Sequence, residues 1–118
     1  MKHTIYALVD PDTRHVRYVG RTSQTLQRRL SGHLTAASGG NKSAVYQWMR
    51  SLYPIQPLPI VLQEIEGYHP RVHVGEGRYH SPIESIEIKW IKRFRRTVLN
   101  GINPSARAYK ALVNKGEE

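Results

Sequence analysis

The chain has 118 residues, no cysteine, and eighteen Lys and Arg against nine Asp and Glu, giving a formal net charge of +9. This length fits one domain with a core of its own. The lack of cysteine excludes disulfides and thiolate metal sites. With no signal peptide and no apolar run of about 18 residues, we expect a cytoplasmic protein without membrane contact. The positive charge favours a phosphate-backbone partner, although a basic protein can also be merely soluble.

The first half of the chain predicts a hairpin followed by two helices. Two segments rich in β-forming residues, 4–9 and 15–20, flank a short turn sequence that contains proline and aspartate, which is typical of antiparallel strands. Thr22 or Ser23 can cap the helix that follows. After a Gly-Gly break, apolar residues at helical spacing predict a second helix over 44–52.

The second half predicts a third strand over 58–65, in which Pro59 suits an edge position. A loop over 67–81 follows, then a helix from Pro82 to about Arg96 and a last helix over 104–114. The resulting order ββααβαα predicts a small α/β (α+β) domain. Its mostly antiparallel three-stranded sheet would be flanked by helices.

Several aromatic and histidine side chains have ordinary interpretations. We assign three aromatic residues of the second helix and its end to packing: Tyr46, Trp48 and Tyr53. Three histidines of the predicted loop could indicate zinc: His69, His73 and His80. Because cysteines and a compact ligand spacing are both missing, we favour a loop that contacts DNA.

Helical phase distinguishes pairs of polar residues. At about 100° per residue, Glu87 lies inside the apolar stripe of the third helix and Glu84 at its margin. A carboxylate that faces the core needs a partner, which is either an arginine in a buried salt bridge or a metal ion; phase alone does not choose. On the first helix, Arg29 and His33 share one flank, whereas Arg28 lies on the opposite, solvated side and is interpreted as a surface charge.

Five short motifs follow one another along the chain. They are Thr4-Ile5-Tyr6, Tyr18-Val19-Gly20, the stretch from Thr22 through Leu26 to Arg29 and His33, Glu87-x-x-Trp90-Ile91, and Leu99-Asn100. In this order they resemble the successive motifs of the GIY-YIG nuclease family, over residues 4–100. Thr4 stands where the family has its leading Gly, and Val19 where it has Ile. The resemblance implies a single GIY-YIG-like domain over 1–118, with a core at about 4–100 and the C-terminal helix at 104–114.

The resemblance also implies a role for each of six site residues. Tyr6 would take a proton from the attacking water or help to position it, and Tyr18 would line the same pocket. Arg29 would contact the scissile phosphate, while His33 would support proton transfer or hold Tyr6. Glu87 would be the metal ligand for one divalent cation, Mg²⁺ or Mn²⁺, and Asn100 would order the site. A tyrosine begins near a pKa of about 10, so neighbouring cations would have to lower the pKa of Tyr6.

These roles predict a metal-dependent DNA endonuclease that hydrolyses phosphodiester bonds to 5′-phosphate and 3′-hydroxyl ends, with Arg and the cation stabilising the phosphate. It would use no small-molecule cofactor and act as a monomer or a homodimer. The predicted contacts to nucleic acid are Arg17, Arg21, Arg28, Lys89 and Arg93. One alternative is a catalytically inactive DNA-binding module that retains the fold, which the intact residue set disfavours. Another is an RNA- or protein-binding scaffold, which gives an inward Glu87 no role.

Overall fold

The computed structural model describes residues 2–67, 72–75, 78–80 and 82–100. Its elements, in chain order, are β1 (Lys2–Val9), β2 (Val16–Thr22), α1 (Leu26–Ser38), α2 (Ala44–Leu52), β3 (Leu58–Glu66), β4 (Val72–Gly75), β5 (Arg78–His80) and α3 (Pro82–Arg93). Three strands form a sheet in the order β2-β1-β3, and both pairings are antiparallel. The predicted α+β class and three-stranded sheet are therefore confirmed, and β3 lies at a sheet edge, as Pro59 suggested.

The second half of the chain differs from the prediction in its loop and in the length of its helix. The segment over 67–81 is not only a loop, because β4 and β5 pair there as an antiparallel hairpin. The alternating valines of β4 and the glycine-containing connection to β5 favour such a hairpin in the sequence as well. The third helix ends at Arg93 rather than Arg96, and turns follow it. The helix predicted over 104–114 lies outside the described residues.

Two threonine hydroxyls near the start of α1 accept hydrogen bonds from different backbone N–H groups. Thr25 caps the helix, since its side chain accepts a hydrogen bond from the backbone N–H of Arg28 at 3.2 Å. The predicted cap Thr22 instead ends β2, and its hydroxyl accepts from the backbone N–H of Gln24 at 3.0 Å. The helix thus begins later than predicted, with one of its free N-terminal N–H groups satisfied by Thr25.

The central strand β1 is buried from Thr4 to Val9 and sends alternate side chains to the two faces of the sheet. Tyr6 and Leu8 pack in the cluster that includes Ala37 of α1 and Trp48 and Met49 of α2. Ile5 packs on the other face, in the cluster that contains Val19, Ile65, Ile83 and Ile91. Helices α1 and α2 therefore cover one face of the sheet and α3 covers the other.

The two departures from the family pattern fit this core. Thr4 is 7% exposed and lies opposite Thr22 in the β1–β2 register. Val19 is fully buried on the α3 face. Within the described part of the chain, no helix has both the length and the apolar character that crossing a membrane requires.

Candidate active site

A buried hydrogen-bonded group joins β1 to α1. The hydroxyl oxygen of Tyr6 lies 2.6 Å from Nε2 of His33, and Nε of Arg29 donates to the same oxygen at 3.2 Å. Tyr6 and His33 are each 1% exposed. Because Arg29 and His33 are four residues apart on α1, one flank of the helix presents both side chains to the phenol.

The strand β2 adds a second tyrosine to this group. The ring of Tyr18 meets His33 edge-on with centroids 5.1 Å apart, and its centroid is 6.1 Å from that of Tyr6. Gly20 pairs with Tyr6 across the β1–β2 ladder. A Cβ atom at Gly20 would lie 2.6 Å from the Tyr6 hydroxyl oxygen and 2.8 Å from Cε1 of Tyr18. Glycine at this position therefore makes room for both phenols.

Asn100 holds the outer edge of β2 beside the two tyrosines. Its Oδ1 accepts from the backbone N–H of Val19 at 3.0 Å, and its Nδ2 donates to the carbonyl of Val19 at 2.7 Å. One residue earlier, the N–H of Leu99 donates to the carbonyl of Arg17 at 2.6 Å. The Asn100 amide thus takes the place of a neighbouring strand, and it fixes the backbone between Tyr18 and Gly20.

Glu87 lies on α3, and its carboxylate is within electrostatic reach of Arg21 and Tyr18 of β2. Burial raises the pKa of Glu87; Arg21 opposes this rise and Glu84 adds to it. Glu84 forms an ion pair with Arg21, with Nη2 and Oε1 3.4 Å apart. The salt bridge that the sequence left open for Glu87 is therefore made by Glu84, and Glu87 has no ion pair with the residues that the structure describes.

The surroundings of Glu87 fit a single divalent cation. The pKa of Tyr18 is raised by burial and also by Glu87, although Arg29 lowers it, so the carboxylate lies within electrostatic reach of the phenol. No group of three or more His, Asp or Glu that could hold a metal occurs in the described ranges. Mg²⁺ is usually held by one or two carboxylates together with water and substrate phosphates, and a partly buried carboxylate without an ion pair suits that role.

The protonation states follow from burial and from Arg29. Burial and the adjacent Tyr18 raise the pKa of Tyr6, and Arg29 opposes this without overcoming it. The expected lowering of this pKa by neighbouring cations does not occur, because desolvation outweighs them here. Burial, aided by Arg29, lowers the pKa of His33 to about 4. At neutral pH the group therefore consists of protonated phenols, a neutral imidazole and a guanidinium cation.

Sequence reasoning missed one member of this group. Tyr46 was assigned to packing, yet its hydroxyl oxygen lies 3.0 Å from Nδ1 of His33, and the ring also packs against the first core cluster. A local pattern on α2 carries no signal for a partner on α1. The packing prediction is wrong for Tyr53, which is 86% exposed. It is confirmed for Trp48, which is buried and donates from Nε1 to Asp10.

Some of the residues predicted to contact DNA are exposed, and others bond to groups of the protein itself. Arg28, Lys89 and Arg93 are exposed. Arg17 donates from Nη1 to the carbonyl of Thr97 at 2.8 Å, and Arg21 pairs with Glu84. All five stay predictions, but the first three have guanidinium or ammonium groups on the open surface, where a phosphate backbone could reach them.

Contacts thus bring together five of the six predicted site residues around β1 and β2: Tyr6, Tyr18, Arg29, His33 and Asn100. Glu87 lies on α3, which covers the opposite face of the sheet, within electrostatic reach of Tyr18. A family model described as the GIY-YIG catalytic domain matches residues 2–103. The chain belongs to the GIY-YIG family. GIY-YIG domains are generally nucleases and act on DNA. No curated protein and no solved structure shows a significant match to this chain.

Proposed function

We propose that this GIY-YIG chain is a metal-dependent DNA endonuclease that hydrolyses phosphodiester bonds. One observation carries the proposal: the Arg29–Tyr6–His33 group packs against Tyr18, and the Tyr18 phenol is also within electrostatic reach of Glu87. Glu87 has no ion pair among the described residues. A fixed cation, a proton acceptor and a carboxylate ligand are what phosphodiester hydrolysis requires.

The Tyr6–His33 pair would move the proton of the attacking water. The water oxygen bonds to phosphorus while its proton passes to the Tyr6 hydroxyl oxygen, and the Tyr6 proton passes to Nε2 of His33 over the 2.6 Å contact. The bond from phosphorus to the 3′ oxygen breaks, and that oxygen takes a proton from solvent. Because the two transfers occur together, Tyr6 need not form a free phenolate, which its raised pKa disfavours.

Substrate binding would strengthen His33 as an acceptor. Part of the low pKa of His33 comes from the charge of Arg29. A phosphodiester anion beside Arg29 would offset that charge. The pKa of His33 would then rise towards its ordinary value, so that the imidazole becomes a better base only when DNA is in place.

Arg29 and Glu87 would stabilise the charges that develop. Nε of Arg29 is used by Tyr6, and the terminal nitrogens carry the remaining donors for the phosphoryl oxygens. Glu87 is the residue that would hold the cation, Mg²⁺ or Mn²⁺. When bound, such a cation would supply positive charge that stabilises the leaving oxygen.

The test is cleavage of supercoiled plasmid by wild type, Glu87→Gln and Glu64→Gln, each with Mg²⁺, Mn²⁺ or EDTA. We expect relaxed or linear product from wild type with metal, none with EDTA, and a loss of about 10²-fold or more in Glu87→Gln. Glu64 is about half exposed and pairs with Lys2 on the surface, so its variant should cleave like wild type. Undiminished cleavage by Glu87→Gln would contradict the assigned ligand. DNA binding without cleavage by wild type would favour the inactive binding module.

A further inference from the structure

We infer that Tyr46 is a positioning residue for His33, and that the site contains a four-membered hydrogen-bonded chain, Arg29–Tyr6–His33–Tyr46. The hydroxyl of Tyr46 would hold the imidazole so that Nε2 can accept the proton of Tyr6. The catalytic meaning of this contact rests on the proposed nuclease function, whereas the contact itself is a property of the folded protein.

The imidazole of His33 is held at both nitrogens. Nε2 lies 2.6 Å from the Tyr6 hydroxyl oxygen and Nδ1 lies 3.0 Å from the Tyr46 hydroxyl oxygen. The titratable and charged groups that face the ring come from every element around it: Tyr6 from β1, Tyr18 from β2, Tyr46 from α2 and Arg29 from α1 itself. Because Tyr6 and Tyr46 are on different elements, the ring is fixed in orientation as well as in place.

The direction of the Tyr46 hydrogen bond decides whether His33 can act as a base. In a neutral imidazole only one of the two ring nitrogens carries a hydrogen. When Tyr46 donates to Nδ1, that hydrogen is on Nε2, which then cannot take a proton from Tyr6. When Tyr46 accepts from the Nδ1 N–H, the lone pair of Nε2 faces the Tyr6 hydroxyl. The second arrangement is the productive one.

Tyr46 suits both states of the proton transfer. As the proton of Tyr6 moves to Nε2, both ring nitrogens come to carry hydrogen, and the Tyr46 oxygen continues to accept from Nδ1. A phenol oxygen can do this because it accepts as well as donates. Tyr46 therefore takes the place of the third group that orients a base in other catalytic arrangements. Core packing explains the position of its ring but does not explain why its hydroxyl meets Nδ1.

The test compares Tyr46→Phe, which keeps the packed ring, with Tyr53→Phe as the matched control on an exposed tyrosine. The first readout is the tautomer of His33, followed by NMR in protein labelled with ¹⁵N-histidine. We expect hydrogen on Nδ1 in wild type and in Tyr53→Phe. In Tyr46→Phe it should move to Nε2, since a buried N–H without an acceptor is disfavoured. An unchanged tautomer in Tyr46→Phe would overturn the inference.

The second readout is turnover on DNA. In Tyr46→Phe we expect kcat to fall by about 10-fold or more, within the roughly 10²- to 10⁴-fold that general acid–base catalysis contributes, with KM unchanged. The acidic limb of the rate profile should move to lower pH, because the protonated ring has lost its acceptor. A changed tautomer with unaltered turnover would also overturn the inference. If the tautomer changes but wild type itself does not cleave, the positioning by Tyr46 stands and the proposed nuclease function fails.

Discussion

At the scale of single residues, Glu84 and Glu87 show how neighbouring carboxylates acquire different roles. They are one helical turn apart on α3, but Glu84 pairs with Arg21 at 3.4 Å. Glu87 has no such pair in the described part of the chain, and burial raises its pKa. An ionised carboxylate in such surroundings costs folding free energy, and a bound cation would offset that cost because it binds only the folded state.

We therefore expect Glu87→Gln to be more stable than wild type in EDTA at pH 7, by on the order of 1 kcal/mol. The pKa of Glu87 in the folded protein lies above its value in the unfolded chain. The favourable effect of the protonated carboxyl group on stability is therefore lost as the pH rises through the folded-state pKa, and the ionised carboxylate destabilises the fold above it. The advantage of the variant should accordingly shrink in acid. Thermal unfolding measures both effects. Mg²⁺ or Mn²⁺ should raise the Tm of wild type but not that of Glu87→Gln. A lower Tm for Glu87→Gln than for wild type in EDTA would show that the Glu87 carboxylate already has stabilising partners within the protein.

At the scale of elements, the close approach of β1 and β2 builds the site. Gly20 lets the Tyr6 and Tyr18 rings occupy the space that a side chain on β2 would fill. An added Cβ at Gly32 on α1 would approach Nη1 of Arg29 to 3.9 Å, which is an ordinary van der Waals contact. The two glycines therefore form a matched pair, one in a crowded site and one on a helix surface.

Gly20→Ala should destabilise the protein by roughly 1–3 kcal/mol, because the added methyl group overpacks the core. It should also reduce plasmid cleavage sharply, since the Tyr6 hydroxyl must move away from His33. Gly32→Ala should gain roughly 0.5–1 kcal/mol from helix propensity and keep its activity. Chemical denaturation and plasmid cleavage check both variants. Equal stability and activity for Gly20→Ala and wild type would refute the role given to this close approach.

Local patterns predicted most of these elements, because hydrophobic period and turn residues act over a few neighbouring positions. Helical phase also separated Arg29 from Arg28 and Glu87 from Glu84, since each choice depends on one helix and the side it buries. The hydrogen bond between Tyr46 and His33 was not predictable in this way, because it depends on the distance between two helices. The pKa of Tyr6 required the structure too, since burial competes there with a nearby cation.

At the scale of the whole molecule, positive charge is concentrated towards the C-terminus. From Ile88 to Gly116 the chain has eight Lys and Arg and no Asp or Glu, which accounts for most of the net charge of +9. At about 100° per residue, Lys89 and Arg93 lie on the side of α3 roughly opposite Glu87. We expect them to contact DNA away from the cleaved bond, and therefore to contribute to affinity rather than to the chemical step.

The central claim is that the buried Tyr6 hydroxyl takes part in phosphodiester hydrolysis. The most direct test is single-turnover cleavage of end-labelled duplex DNA with Mg²⁺ by wild type, Tyr6→Phe and the exposed control Tyr53→Phe, with DNA affinity measured in parallel. Tyr6→Phe should cleave about 10²- to 10⁴-fold more slowly while its DNA affinity stays near that of wild type, and Tyr53→Phe should be unaffected. Cleavage by Tyr6→Phe at the wild-type rate would contradict the account and leave this tyrosine a purely structural role.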